Sequence, residues 1–373
     1  MSGMMEPLVS IVTVVYNGVH TVEQAIKSVF AQTYQNIEYI IIDGGSTDGT
    51  LGIINKYRDR LAQFVSEPDG GIYDAMNKGI KRAHGKIIGL LNADDWYEPN
   101  AIKAVVMQFK NVGADIVAGR TVIVESDGSK ILRKNRNFSE LWVGMPACHQ
   151  AVFITKSAYE KFGLYDTCYK IVADYELLLR MYHAGAQCSM IENVLVNYGH
   201  NGISSTAFVE CAQENNDVIN KYISKYSDKI PDIKRLCENR LKGAKARFMI
   251  EHSSSLLCSK CYASSEHENI VIWGTGVWGK RILKLLTINR QKISFFVDSD
   301  ESKWNSEIGG ILIKSPENLR NWCGNIFIAV KEHDAEIAKR LAEMRNPALR
   351  WVLLESIVHD AAVLYDAIFL QPR

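Results

Sequence analysis

Lys86-Ile-Ile-Gly-Leu-Leu-Asn-Ala-Asp-Asp-Trp-Tyr-Glu-Pro99 decides how the chain folds. An apolar run of strand length ends here in two adjacent carboxylates, Asp94 and Asp95. Such a run, apolar without alternation, reads as a strand buried on both faces, which in an α/β protein belongs to a parallel sheet. Three more precede it, at Leu8 to Tyr16, Ile37 to Asp43 and Phe64 to Glu67. Between the first two, Thr21-Val-Glu-Gln24 has the spacing of a capping box, and Val22, Ala25, Ile26, Val29 and Phe30 recur at helical spacing. The opening is therefore β-α-β and the fold class α/β. Ile116 to Val124 and His149 to Thr155 are further strand candidates, and Asp174 to His183 reads as a helix.

The alternation stops near residue 205. Residues 206–266 are polar and mostly helical in pattern, a connector, and from Ile270 a second, smaller α/β unit begins. The expected division is 1–205, 206–266 and 267–373, within the two or three domains that 373 residues suggest. A composition of 47% hydrophobic and 23% charged residues supports full cores. The net charge of +1 gives no bulk attraction for nucleic acid or an anionic membrane. No apolar run reaches the roughly 18 residues of a membrane span, and Met1 to Pro7 is unlike a secretory signal, so a cytoplasmic protein is expected. Eight scattered cysteines read as reduced thiols. The one close pair, Cys258 and Cys261, lacks the second pair of ligands that zinc requires.

Ligands of open α/β sheets bind beyond the carboxyl ends of the strands. At those ends stand Tyr16-Asn-Gly18, Asp43-Gly-Gly-Ser-Thr-Asp-Gly-Thr50, Glu67-Pro-Asp-Gly-Gly71 and Asn92-Ala-Asp-Asp95. Any one of them is explained by turn chemistry alone. Four together, three with acids, point to a shared site, and clustered carboxylates suit a hard divalent cation that completes its shell with water and phosphate oxygens. Asp94-Asp95 is also compatible with a solvated cap for the helix near Pro99, and Asp174 with an ordinary N-cap.

The ordered motifs Val14-Val-Tyr-Asn17, Ile42-Asp-Gly-Gly-Ser-Thr-Asp-Gly-Thr50, Pro68-Asp-Gly-Gly-Ile-Tyr-Asp-Ala-Met-Asn-Lys-Gly79, Leu91-Asn-Ala-Asp-Asp95 and Ala173-Asp-Tyr-Glu176 resemble the family 2 glycosyltransferases with the GT-A fold, over roughly residues 7–205. The resemblance implies a donor site for a nucleotide-sugar, with Val14, Tyr16 and Asp43 at the base, usually uracil. Asp69 and Lys78 would be donor-site residues, Asp94 would lie toward the ribose, and Asp95, with Asp94 beside it, would hold Mn²⁺ or Mg²⁺ against the diphosphate. Asp174 would be the general base. The family usually has Glu before that Asp, and Ala173 stands here; it also usually has two adjacent acids where this chain has Asp43-Gly44. The Gln-x-x-Arg-Trp motif of processive members is absent, so one sugar per encounter is expected. His149, and His200 in a loop like one that closes over the donor in relatives, are further candidates for substrate contact.

The implied activity is inverting transfer of one sugar, a hexose or N-acetylhexosamine, to a hydroxyl of a glycan or lipid-linked acceptor in bacterial surface polysaccharide synthesis. The site of action would be the inner face of the membrane, with peripheral attachment and a homo-oligomer both compatible with the sequence. In the second unit, Gly274-Thr-Gly-Val-Trp-Gly279 and Asp298, 19 residues further on, match a dinucleotide fingerprint in a Rossmann-like domain, although such loops also make tight strand-to-helix turns with no ligand, and a docking or regulatory role is the stronger expectation. Two rival readings stay open: an NAD(P)-dependent sugar-modifying enzyme run by that unit, and a degenerate nucleotide-sugar-binding module.

Overall fold

The computed structural model describes residues 6–124, 128–199, 207–252, 270–288, 292–330, 333–346 and 349–369. The chain divides into two compact units, Met1–Leu236 and Cys237–Arg373. In the first, β1 (Val9–Val15), β2 (Ile37–Asp43), β3 (Gln63–Ser66) and β4 (Ile87–Asn92) form a parallel set in the order β3-β2-β1-β4. Val9 to Val15 are all buried, as a strand covered on both faces must be. The helices α1 (Val22–Phe30), α2 (Thr50–Asn55), α3 (Ile72–Arg82) and α4 (Ala101–Val112) follow β1 to β4, with the short β5 (Trp96–Tyr97) ahead of α4. Packing is close where glycine allows it: a Cβ on Gly79 of α3 would lie 2.2 Å from Val12 Cγ1.

The sheet continues through β8 (Val152–Thr155), antiparallel to β4 and to β6 (Ile116–Val124), and then β9 (Cys188–Gly199), parallel to β6. β7 (Lys130–Leu132) pairs with β6 as an exposed edge, and β5 pairs with β9. α5 (Lys156–Phe162), α6 (Ala173–His183) and α7 (Phe208–Lys221) complete this unit. The tract expected to act as a connector is shared: α7 belongs to the first unit, and α8 (Ile230–His252) crosses residue 236, with Ala246 and Met249 in the core of the second.

Two local expectations fail. The Thr21 side chain makes no cap bond; its hydroxyl donates to Gly18 O, and a backbone turn in which Val22 N donates to Gly18 O closes the helix start. His149–Ala151 is a 3₁₀ turn rather than strand, because Gln150 turns in to reach Asp95.

The second unit is a sheet ordered β12-β13-β11-β10-β14-β15, built from β10 (Ile270–Trp273), β11 (Ile293–Val297), β12 (Glu307–Ile308), β13 (Ile311–Lys314), β14 (Gly324–Ile328) and β15 (Leu349–Leu353). All pairs are parallel except β12 with β13. α9 (Val277–Ile288), α10 (Asp334–Glu343) and α11 (Leu354–Phe369) accompany it.

Candidate active site

The register Val15↔Asp43↔Ser66 and Val14↔Asn92 brings the carboxyl ends of β1 to β4 to one edge. Asp43 is fully buried, and its Oδ2 accepts from Gly45 N at 3.0 Å, Ser46 N at 3.0 Å and Ser66 Oγ at 2.7 Å. Its Oδ1 has no partner among the described residues. A buried acceptor left open in this way is a place for a ligand or a water. Tyr16 is 66% exposed beside it. A Cβ on Gly44 would lie 2.5 Å from Asp69 Oδ2 and 3.5 Å from Tyr16 Cδ2, so the Asp69 carboxylate takes the space that a second loop acid would need. Lys78 is occupied in pinning the next loop, donating to Pro68 O at 3.0 Å and pairing with Glu67 at 3.2 Å and Asp74 at 3.4 Å. Val14 is buried in β1, 5% exposed.

Past the end of β4 opens a cavity of about 430 Å³, and Asn92, Asp94, His149, Asp174, Tyr73 and Arg133 are among the residues that line it. Both acids stand in the turn between β4 and β5, where Asp95 N donates to Asn92 O at 3.2 Å, and the turn sends the two carboxylates different ways. Asp94 is half-buried at the cavity, where burial pushes its carboxyl above the ordinary range and its own backbone N–H and His149 work the other way. Asp95 turns inward, 1% exposed, with Oδ2 accepting from Gln150 Nε2 at 2.6 Å and Oδ1 from Gly199 N at 2.9 Å. Burial first, and then the neighbouring Asp94, hold its carboxyl well above the usual range. Asp94 thus lines the cavity and Asp95 does not.

Asp174 stands in the first turn of α6, where the helix dipole favours an anion. Its Oδ1 accepts from Tyr175 N at 2.9 Å and lies 3.3 Å from the Tyr73 hydroxyl, which donates to Ile171 O at 2.6 Å. His149 Nδ1 is 3.7 Å from Asp174 Oδ2, beyond hydrogen-bond reach. Burial lowers the His149 pKa, opposed by Asp174 and Asp94 and reinforced by Arg133, so the ring is neutral near pH 7. Its Nε2 and the Oδ1 of Asn92 are buried without a partner among the described residues. An amide oxygen and a carboxylate, Asn92 and Asp94, are the hard oxygen donors that Mg²⁺ or Mn²⁺ takes, with water and phosphate filling the rest. They fit such an ion, although the described residues contain no cluster of three or more His, Cys, Asp or Glu that would hold one unaided. The sequence placed Asn92 at the strand end, in the stretch Asn92 to Asp95, without giving it a role of its own, and it gave Gln150 none. His200 and the Cys258–Cys261 pair lie outside the described residues.

In the second unit, Gly274 has φ +107° and turns β10 into α9, while a Cβ on Gly279 would lie 1.9 Å from Gly274 O. Gly276 has open space around it. A cavity of about 550 Å³ lies over this turn, with Asp298, Lys303 and Arg340 among its lining residues. The Asp298 carboxylate is already engaged: by the Thr275 hydroxyl, by Asp300 N at 3.0 Å and by Lys303 Nζ at 3.1 Å.

Fold and site together define an α/β enzyme domain that works at the carboxyl edge of its sheet. Residues 10–181 match Glycosyl transferase family 2, and residues 266–350 match the family described as C2185-like, N-terminal. An uncharacterized glycosyltransferase of Mycobacterium tuberculosis is 33% identical over 212 residues, 53% of this chain and 78% of the relative. One of Rickettsia typhi is 33% identical over 183 residues, covering 46% of this chain and 57% of its own, and a PGL/p-HBAD biosynthesis glycosyltransferase of Mycobacterium bovis is 28% identical over 221 residues, 56% and 82%. This chain therefore spans little more than half the length of the Rickettsia protein. In fold it is similar to S. aureus TarS 1-349 solved with UDP-GlcNAc (TM-score 0.51, 15% identity, 67% of this chain and 75% of that one). It is likewise similar to the mannosyltransferase PcManGT from Pyrobaculum calidifontis solved with GDP-Man and Mn²⁺ (0.51, 17%, 70% and 77%). The chain belongs to glycosyl transferase family 2, and its first unit is a GT-A-like glycosyltransferase domain.

Proposed function

We propose that the first unit transfers a single sugar, with inversion, from a nucleoside-diphosphate sugar, with UDP as the preferred nucleotide, to a hydroxyl of a glycan or lipid-linked acceptor. The observation that carries the reading is the meeting of Asp94, His149 and Asp174 in one cavity, beside buried polar atoms that have no partner among the described residues. Asp174 takes the proton from the acceptor hydroxyl, whose oxygen forms the new bond to the anomeric carbon while the bond to the diphosphate breaks. The nucleoside diphosphate leaves with the electron pair, and attack from the opposite face inverts the centre. Asp94 and Asn92 would hold a divalent cation, which when bound stabilises the charge growing on the departing diphosphate. Asp43 Oδ1 accepts from the nucleobase, and Tyr16 and Asp69 flank it; neutral His149 offers Nε2 to the substrate.

A lipid-linked acceptor is supported by the relative named for PGL/p-HBAD biosynthesis, and a nucleotide-sugar donor by fold neighbours that hold UDP-GlcNAc or GDP-Man. No helix of the described residues is long and apolar enough to cross a membrane. We read the second unit as Rossmann-like from its strand order. Nicotinamide chemistry there is disfavoured, because the acid that would bind a ribose is committed to Thr275, Asp300 and Lys303. The test is Asp174→Asn: transfer should fall by about 10² to 10⁴-fold with UDP affinity unchanged, and undiminished transfer would refute the base.

A further inference from the structure

One carboxylate outside the site holds the segment that leads into the base. Glu214, on α7, accepts from three consecutive backbone N–H groups: Lys170 N at 2.9 Å on Oε1, and Ile171 N at 2.9 Å and Val172 N at 3.2 Å on Oε2. Val172 is the residue before α6, whose second residue is Asp174. Successive N–H groups that converge in this way form an anion-binding nest, and here the anion comes from the protein's own side chain. The same segment anchors the other group that touches the base, since Ile171 O accepts from the Tyr73 hydroxyl, which lies 3.3 Å from Asp174 Oδ1. Lys170, Ile171 and Val172 also line the cavity, as do Cys211 and Asn215 from the helix that carries Glu214.

We infer that Glu214 is the positioning residue for Asp174: by clamping the three backbone N–H groups of residues 170–172 it fixes the start of α6, the hydroxyl of Tyr73 and, through both, the direction of the base. The inference rests on the proposed role of Asp174. Glu214 touches neither the reacting atoms nor the donor end of the site, so its loss acts on turnover and not on nucleotide affinity. Misplacing a catalytic group by about 1 Å costs on the order of 10²-fold.

The test compares wild type, Glu214→Gln, Asp174→Asn and the double variant in the full chain, reading UDP release from UDP-glucose with Mn²⁺ and water as acceptor, UDP affinity, and amide hydrogen exchange over residues 168–176. Gln keeps the length but has one acceptor oxygen for three donors. Expected for Glu214→Gln are release slowed roughly 10- to 100-fold, UDP affinity within twofold, faster exchange at residues 170–172, and no additional loss in the Asp174→Asn background. Release at the wild-type rate, unchanged exchange, or an equal loss with and without Asp174 would each overturn the inference. Full release by the Asp174→Asn single variant identifies failure of the base itself, and the inference falls with it. Should Glu214→Gln fold poorly, Glu214→Asp, which keeps the charge but is one methylene short, is held to the same outcomes.

Discussion

Asp95→Asn should stabilise the protein above neutral pH. The carboxylate is 1% exposed, its neighbour is Asp94, and it receives one bond from Gln150 Nε2 and one from Gly199 N. Burial raises its pKa well above the ordinary value, so the folded state holds a proton that the unfolded chain has already lost. Between the two pKa values the folded form binds more protons, and stability falls as pH rises. Each unit of elevation costs about 1.4 kcal/mol once pH exceeds both values. The amide gives up the charge-assisted part of two hydrogen bonds, about 1 kcal/mol in all. It keeps the Gly199 bond, and a flipped Gln150 can accept from Asn Nδ2 through its Oε1, which is buried and without a partner among the described residues. Because burial holds the carboxyl well above its usual range, relief of that elevation outweighs the weakened bonds and raises the unfolding midpoint at pH 8. The gain disappears as pH falls through the folded pKa, where Asp95 is itself neutral. Thermal unfolding at pH 8 and pH 5 measures both limits. A loss of more than ~2 kcal/mol at pH 8 that persists at pH 5 would refute the reasoning.

Two further substitutions address the nucleotide and the sheet. Asp43→Asn exchanges a charged acceptor for a neutral one of the same shape and should weaken UDP binding about tenfold, read by calorimetry; unchanged affinity would remove Asp43 from the base site. Gly89→Ala would place a Cβ 2.4 Å from Phe153 Cε1 and 3.0 Å from Ile11 Cδ1 in the middle of β4, an overpacking that costs about 1 to 3 kcal/mol and lowers the midpoint by roughly 5 °C.

The parallel sheet was legible because its strands are covered on both faces, and burial there demands unbroken runs such as Val9 to Val15. The gathering of acids at one edge followed from that topology. What pattern could not reach was orientation. Which of Asp94 and Asp95 faces the cavity depends on the turn after β4 and on Gln150, 55 residues after Asp95, which also turns a would-be strand start into a 3₁₀ turn. Glu214 is 40 residues beyond Asp174 and acts through backbone N–H groups, which carry no side-chain signature. In the second unit the glycine spacing was readable, whereas the closure of Asp298 onto Thr275 and Lys303 is a tertiary fact.

The most direct measurement is thermal stabilisation by UDP with Mn²⁺, repeated with chelator and with NAD, on wild type, Asp94→Asn and Asp95→Asn. Saturating ligand that binds only the folded state at a hundred times its Kd raises stability by about 2.7 kcal/mol. The expected result is a shift with UDP that needs the metal, persists in Asp95→Asn and is lost in Asp94→Asn. A shift with NAD and none with UDP would contradict a UDP-sugar donor site in the first unit.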